Sequence, residues 1–577
     1  MKKLWLLLFA VSWLGISAQT PTVISPAANG VSDAFRNYAK INAAKEINGK
    51  VAPADTEQEE LEIPNTFYIP RGGALTAAGK LKSLAVAPSV ATAPSSMYNQ
   101  TTNGTLPVTK IADYVGLGNG FAGWTNEGLL PPDTTMAVGN NQIVQWVNIR
   151  LTVLNKTTGA PLLPSPFYVS GSQIWAGLLA SNPSSLCATT NRGDPTVQYD
   201  RLSGRWLLAQ FAFNSGNTNN SMCFAVSQSS DATGAYNLYE YNFGNNLTDY
   251  PKIGVWTDAY YWTANQFKYP GGSYNGSLVC AVDRAAMIAG AASPASVCFT
   301  GLGGTTGEYF AMLPADFEGS TLPPANTTEY ILNVNWFSLD SPPYTLELRR
   351  FHPDFVTPTN STLTDGYGGG ALSYVSMPFA TNVKGACADG GGMCIPQPST
   401  PRKLDTLSMR PMYRLAYRNL GQYETMTFTE TVLPQTGTAV AGIQLVEIRN
   451  PAANPPTVYN NVNFNPDSTN RWMGASATDK LGNILLGYSV SSTTKAPSIR
   501  IAGRLRNDLK STLRGEIEVL AGTGNQTSSA QRWGDYSTMQ IDPDDDCTFW
   551  YTQEFTNVSS SANWATHIFS YKFTNCQ

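Results

Sequence analysis

Histidine is nearly absent: the 577 residues contain two, His352 and His567. That removes histidine-based nucleophilic triads and multi-histidine metal centres, and neither an HExxH nor a Gly-x-Ser-x-Gly motif is present. Charge is scarce as well, 14% of residues with a net of −4, which offers no general attraction for nucleic acid or an anionic membrane. After the N-terminus there is no long uninterrupted apolar run, so no transmembrane anchor is expected. The chemistry left to such a chain rests on carboxylates, tyrosines and arginines.

The first 18 residues, Met1-Lys-Lys and then an apolar run ending in Ile16-Ser-Ala18, have the layout of a signal peptide, and imply a secreted or periplasmic protein. Eight cysteines in an exported chain suggest four disulfides, and their order suggests local pairs: Cys187 with Cys223, Cys280 with Cys298, Cys387 with Cys394, and Cys547 with Cys576. Zinc is a weak alternative for Cys387 and Cys394, which stand in a glycine-rich loop without histidine.

What the sequence has in abundance is a repeated sentence of strand, tight turn and aromatic strand. Its copies begin near residues 133, 194, 250, 412, 473 and 536, about 60 apart except for one gap, which Tyr330 to Phe337 and Tyr344 to Phe351 fill as a further unit. Seven all-β repeats with room for four strands each predict a single β-propeller of seven four-stranded blades over residues 109–577, with six or eight blades left open. The last unit shows three good strands, so a strand within Lys110 to Val115 is expected to close the ring. Residues 19–108 read as an N-terminal extension outside the propeller, with one short amphipathic helix in Ser32 to Asn48 and an Ala/Pro/Thr/Ser linker from Ala74 to Ser96. The body is expected to be a monomer.

Several motifs bear on chemistry. Gly118-Asn-Gly120-Phe-Ala-Gly123 matches a dinucleotide fingerprint, but no helix follows it, so a loop is expected. Arg410, Arg471 and Arg532 each precede the first strand of a unit, at equal spacings. In a propeller such positions converge on one rim, where three guanidiniums can hold an anionic group; the alternative is that each simply staples its own blade. Asp133, Asp194, Asp249 and Asp535 occupy corresponding entrances, and with Glu424 and Tyr250 they are candidates for the proton donor, base and nucleophile of glycosidic cleavage, or else caps of turns. The expected assignment is catalysis at Asp194, Asp249, Asp535, Glu424 and Tyr250, and ligand binding at Arg410, Arg471, Arg532 and Asp133. No cofactor is expected; Asp542-Pro-Asp544-Asp545-Asp546 has the charge density of a calcium loop but lacks the EF-hand's glycine and terminal glutamate, which favours a solvated turn.

Two resemblances follow from these residues. Ser229-Ser-Asp231-Ala-Thr-Gly234-Ala-Tyr236 resembles the Asp-box turn of sialidase-like propellers, with one extra residue before the glycine and tyrosine for tryptophan. In that family the box is structural, and an arginine triad holds the substrate carboxylate. From about residue 113 onward the chain also resembles a family of large exported bacterial propellers without an established activity, through Pro132-Asp133-Thr, Gly193-Asp194-Pro-Thr-Val-Gln-Tyr-Asp200-Arg201, Asp249-Tyr-Pro-Lys-Ile-Gly-Val-Trp256, Tyr413-Arg-Leu-Ala-Tyr-Arg418 and Arg532-Trp-Gly-Asp535-Tyr. These resemblances imply export, a propeller and recognition of an acidic glycan, by a sialidase-like glycoside hydrolase or by a non-catalytic adhesion or envelope protein.

Overall fold

A computed structural model describes residues 20–38, 104–126, 128–304, 309–335, 344–370, 374–379, 392–408, 410–434 and 440–577. The signal-peptide stretch, most of the linker region and Cys387 lie outside them. The chain is built almost entirely of antiparallel strands. In chain order the sheets begin with Thr135–Val138, Thr196–Asp200, Asn246–Val255, Leu313–Glu318, Asn470–Thr478 and Thr538–Ile541. The sheet that begins with Leu313–Glu318 has nine strands in two antiparallel groups, which meet where Ala315 lies opposite Leu415 in a parallel pairing with Leu415–Asn419.

These leading strands sit side by side in a closed circuit. Thr135–Val138 lies against Thr196–Asp200, and the contacts continue through Asn246–Val255, Leu313–Glu318, Leu415–Asn419, Asn470–Thr478 and Thr538–Ile541, which returns to Thr135–Val138. Thr-Met-Ala-Val, Thr-Val-Gln-Tyr-Asp and Thr-Met-Gln-Ile are buried along almost their whole length, so their polar residues lie inside the ring beside the apolar ones. Each leading strand runs from what is here termed the entrance end to a tight turn at the far end. Glycines with positive φ shape two of those turns, Gly204 and Gly482. The apolar cores lie between neighbouring sheets, one of them around Trp146, Trp175, Leu208 and Tyr236.

The ring is closed by a strand from near the N-terminus. Val108–Val115 pairs with the last strand, Ala565–Phe573, and the bond between Cys547 and Cys576 fixes the chain end beside them. Disulfides also join Cys187 to Cys223 and Cys280 to Cys298, each inside one unit.

One expectation is corrected at the N-terminus. Residues 22–38 belong to the body: Thr22–Ile24 adds a fifth strand beside Ser296–Leu302, and Ala28–Val31 another beside Tyr236–Gly244. An outer strand presents unpaired backbone groups, and these short segments cover two such edges. Phe35, fully buried in the 3-10 turn Phe35–Asn37, stacks on Tyr236 with ring centres 4.7 Å apart. Only that short turn stands where a helix over Ser32 to Asn48 was expected; the remainder of that stretch lies outside the described residues.

The axis of the circuit is filled by side chains. Arg414 pairs with Asp316 at 2.5 Å and with Glu318 at 2.8 Å, and donates to the Met539 carbonyl at 2.6 Å. Gln198 donates to Asp316 at 2.9 Å and accepts from Gln540 at the same distance. At the far end, Asp546 pairs with Arg201 at 2.9 Å and Arg418 at 3.1 Å. The neighbouring carboxylates of the acidic turn are also engaged with cations: Lys156 reaches Asp542 at 2.9 Å and Asp544 at 2.6 Å, and Lys572 reaches Asp545 at 3.1 Å. The turn's charge is thus met by lysine and arginine.

Candidate active site

At the entrance end, residues just before the inner strands, or at a bulge within them, share an uncommon backbone conformation. Asp133, Asp194, Tyr250, Ala311, Met473 and Asp535 all have positive φ, between 48° and 58°. None is glycine, so each carries the steric cost of the left-handed region, and its neighbours must hold it there. The repetition puts these side chains in one structural register around the mouth of the ring.

The floor of that mouth is apolar and aromatic. Tyr250, Tyr413, Trp472, Met473, Trp533 and Tyr536 form one buried cluster. Lys252, with no solvent exposure, lies in it, its ammonium 4.4 Å from the centre of the Tyr536 ring and donating to the Tyr250 carbonyl at 3.2 Å. The insertion between the two groups of the nine-stranded sheet lies over the same place. Its ribbon, Met393–Ile395 with Leu404–Asp405, adds Ile395 and Leu404 to the cluster and bonds across to Gln531 through the Asp405 amide at 3.0 Å. The longer gap in the sequence repeat therefore holds both a strand unit and a cover for the mouth.

Around this floor stand the carboxyls. Asp194 is 5% exposed and accepts a hydrogen bond from the Tyr536 hydroxyl at 3.0 Å. Burial, reinforced by the negative charges of Asp249 and Asp535, pushes its carboxyl up to about 8, against the pull of Lys252 and the Tyr536 bond. Asp249 is half-buried, and burial with the Asp535 charge raises it to about 6 while Arg532 and Lys252 oppose the rise. Burial pulls Lys252 well below the usual lysine range, although the surrounding aspartates work the other way. Tyr250 donates to the Asp535 carbonyl at 3.2 Å, and burial pushes its phenol above the ordinary tyrosine value. Asp133 is fully buried beside Asn148, whose amide reaches its carboxylate at 3.5 Å, and its charge acts on both Tyr250 and Tyr536.

Two guanidiniums complete the mouth, both half-buried. Arg532 pairs with Asp535 and lies 3.9 Å from Asp405, whose own carboxyl is raised by burial. Arg410 lies over the rings of Phe310 at 5.0 Å and Tyr250 at 5.6 Å. Chemically, the arrangement offers a buried proton-holding carboxyl, a second carboxyl that ionises more readily, and cations able to take an anionic group.

Two of the sequence candidates stand elsewhere. Arg471 is fully buried and saturated within its own sheet and the loop before it: it reaches both oxygens of Glu516, at 2.8 and 2.7 Å, and Asp467 at 3.0 Å. Met473 fills the corresponding place at the mouth, because the strand bulges between Trp472 and Ala475. Glu424 begins the second strand of its unit, at the far end, where it accepts from Tyr417 at 2.5 Å. Sequence reasoning also passed over Lys252, Tyr536 and Asp405. The first two lie inside motifs already singled out, Tyr250-Pro-Lys and Asp535-Tyr, where aromatic residues flanking a charge were the available signal. The Asp-box-like turn joins Asn220–Ser227 to Tyr236–Gly244 at the far end, with Asp231 held by Gln142, Thr233 and Arg36.

A direct prediction separates the arginines. Arg471→Ala removes a fully buried guanidinium from Glu516, which keeps Arg500 and Tyr488, and is expected to lower stability by about 1.5–3 kcal/mol in a denaturant titration without changing ligand binding at the mouth. Weakened binding at unchanged stability would place Arg471 in the site instead.

No family model matches the chain, and no curated protein does. Among solved structures it is similar to an α-L-arabinanase of Penicillium chrysogenum complexed with arabinobiose (8% identity over 81% of this chain and 100% of that one, TM-score 0.35). It is similar also to a protein of unknown function from Dyadobacter fermentans (10% identity, 81% and 99% covered, TM-score 0.35). A Trypanosoma rangeli sialidase in complex with the inhibitor DANA is a further match (10% identity, 66% of this chain and 54% of that one, TM-score 0.29).

Proposed function

We propose that the chain is an exported, monomeric seven-bladed β-propeller whose entrance-end mouth binds an acidic carbohydrate and cleaves a glycosidic bond in it. The fold reading is carried by the closed circuit of leading strands. The functional reading is carried by Asp194 and Asp249 sharing the neighbourhood of Lys252 and Asp535 beside Arg532. Glycosidic cleavage needs one carboxyl that keeps its proton and one that has lost it, and a pair of sites pushed to different values supplies both. Asp194 is the proton donor, Asp249 the base or nucleophile, and Arg410 and Arg532 hold the acid group, with Asp535 fixing Arg532 and Asp133 shaping the field around Tyr250. Because the axis is filled beneath, substrate enters and product leaves by the same mouth. Disulfides within units accord with an oxidising destination outside the cytoplasm.

The near-complete burial of Asp194 and Lys252 favours a second reading, recognition without turnover by an adhesion or envelope propeller. Screening the purified protein for binding and product release on acidic and neutral glycans decides between them. Turnover of an acidic glycan that falls in Arg532→Ala supports the enzyme; binding that is lost in Arg532→Ala with no product formed supports the receptor. Absence of both binding and turnover across the panel removes the carbohydrate reading.

A further inference from the structure

In this structure the mouth is shut. Asp133, Asp194, Lys252 and Asp535 are all buried, while the body around them is fixed by the strand ladders of the ring. The ribbon of Met393–Ile395 and Leu404–Asp405 is held differently, for among the described residues its two strands pair only with each other. Bonds outside any ladder tie it to one stretch of the last unit. Gln397 donates to the Gln526 carbonyl at 3.0 Å and accepts from the Gln526 amide at 2.8 Å. The Lys403 amide donates to the Gln531 side chain at 2.8 Å, next to the bond between Asp405 and Gln531. Inward, the ribbon lays Ile395 and Leu404 on the aromatic floor and brings the Asp405 carboxylate to 3.9 Å from the Nε of Arg532. That carboxylate also accepts from the Leu407 amide at 3.1 Å. Arg532 and Arg410 both favour its ionised form, against the effect of burial.

We propose that the ribbon is an autoinhibitory strap: Asp405 occupies the place of the ligand's acid group beside Arg532, and an acidic sugar enters by displacing it. The inference rests on the carbohydrate reading above and adds how the mouth opens and why it selects acids. Exchange of one carboxylate for another preserves the charge-assisted pairing of the guanidinium, so opening costs mainly the neutral ribbon bonds and the exposure of two aliphatic side chains. A neutral sugar breaks the same contacts and offers Arg532 no carboxylate in return, so the strap discriminates against it. The strap also reconciles the burial of Asp194 with contact with a ligand. The closed form is the resting state, and the apparent affinity follows from the intrinsic affinity and the fraction of molecules that is open.

The test measures binding of galacturonic acid by titration calorimetry on the parent protein, Asp405→Asn, Gln397→Ala and Arg532→Ala. Asp405→Asn keeps the shape and the Leu407 bond but removes the competing charge, whereas Gln397→Ala loosens the ribbon and leaves every charge in place. Each of these two is expected to tighten binding about tenfold. Hydrogen exchange on the parent gives a second measure: saturating galacturonic acid should speed exchange of the Lys403 and Asp405 amides, which donate to Gln531 in the closed form. Unchanged or weaker binding in either Asp405→Asn or Gln397→Ala, or exchange that is unchanged or slowed, overturns the strap; loss of binding in Arg532→Ala then still leaves the mouth standing. Binding of galacturonic acid to none of the four proteins overturns the strap together with the reading on which it rests.

Discussion

Asp194→Asn is expected to reduce kcat on the cleaved glycan by about 10²–10⁴-fold, the usual contribution of a positioned proton donor, while glycan affinity changes little. The amide keeps the size and the hydrogen bond with Tyr536 but holds no transferable proton. Under the proposed cleavage, with Asp194 raised to about 8 and Asp249 to about 6, the competent form carries a protonated Asp194 and an ionised Asp249. Activity should therefore peak between those values and fall on either side. The same groups bear on stability. Both folded values lie above the unfolded carboxyl value of about 4, so the folded chain holds protons that the unfolded chain has lost. Their contribution is full below about pH 4 and is lost as pH rises through about 6 and then about 8. Lys252, displaced downward, acts in the opposite sense, its contribution growing as pH rises toward the unfolded lysine value. The informative quantity is consequently the difference between Asp194→Asn and the parent, measured as unfolding midpoint from pH 4 to 9: the variant should lose less stability over the upper part of that range. A variant with parental kcat, or with an identical pH slope, would remove Asp194 from its assigned role.

Arg414→Ala should have the largest effect on stability, about 3–5 kcal/mol or failure to accumulate folded protein. The guanidinium side chain is 1% exposed and is shared between Asp316, Glu318 and a backbone carbonyl of the last unit. Its removal takes from two buried carboxylates the only guanidinium paired with them among the described residues, leaving Asp316 with Gln198 and the Val255 amide and Glu318 with the Ile541 amide. Arg414→Lys keeps the charge but cannot present the fork, and is expected to recover only part of the loss. Urea unfolding of both variants checks this, and a shift below about 1 kcal/mol for the alanine variant would show that the axial network does not hold the ring together.

Much of this architecture was legible in the sequence because strand, tight turn and aromatic strand recur about 60 residues apart. The closing strand was legible because the last unit shows only three strands of its own, and the pairs Cys187–Cys223, Cys280–Cys298 and Cys547–Cys576 because each lies within one unit. Asp133, Asp194, Asp249, Tyr250, Asp535, Arg410 and Arg532 all stand at the mouth. Arg471 does not, and the reason is one residue of register. It precedes Met473 by two positions, whereas Arg532 precedes Asp535 by three, and in extended chain a single step sends a side chain to the opposite face. Equal spacing in the sequence could not reveal the bulge that makes this difference. Glu424 was misplaced by end rather than by register, since the second strand of each unit starts where the first finishes. The edge strands at Thr22–Ile24 and Ala28–Val31 are too short for any periodic pattern, and only their partners define them.

The pairing of Val108–Val115 with Ala565–Phe573 has a consequence for how the molecule comes into being. During synthesis the early strand emerges long before its partner exists, so for most of that time it offers a bare edge to any other extended chain. No intermediate that lacks the last unit can complete the circuit, and the final steps must join segments that are distant in sequence, a slow event in folding. Moving the chain ends by circular permutation to the connection between Arg514–Leu520 and Thr538–Ile541 would make those two strands neighbours in time, and should speed refolding and reduce aggregation at equal final stability.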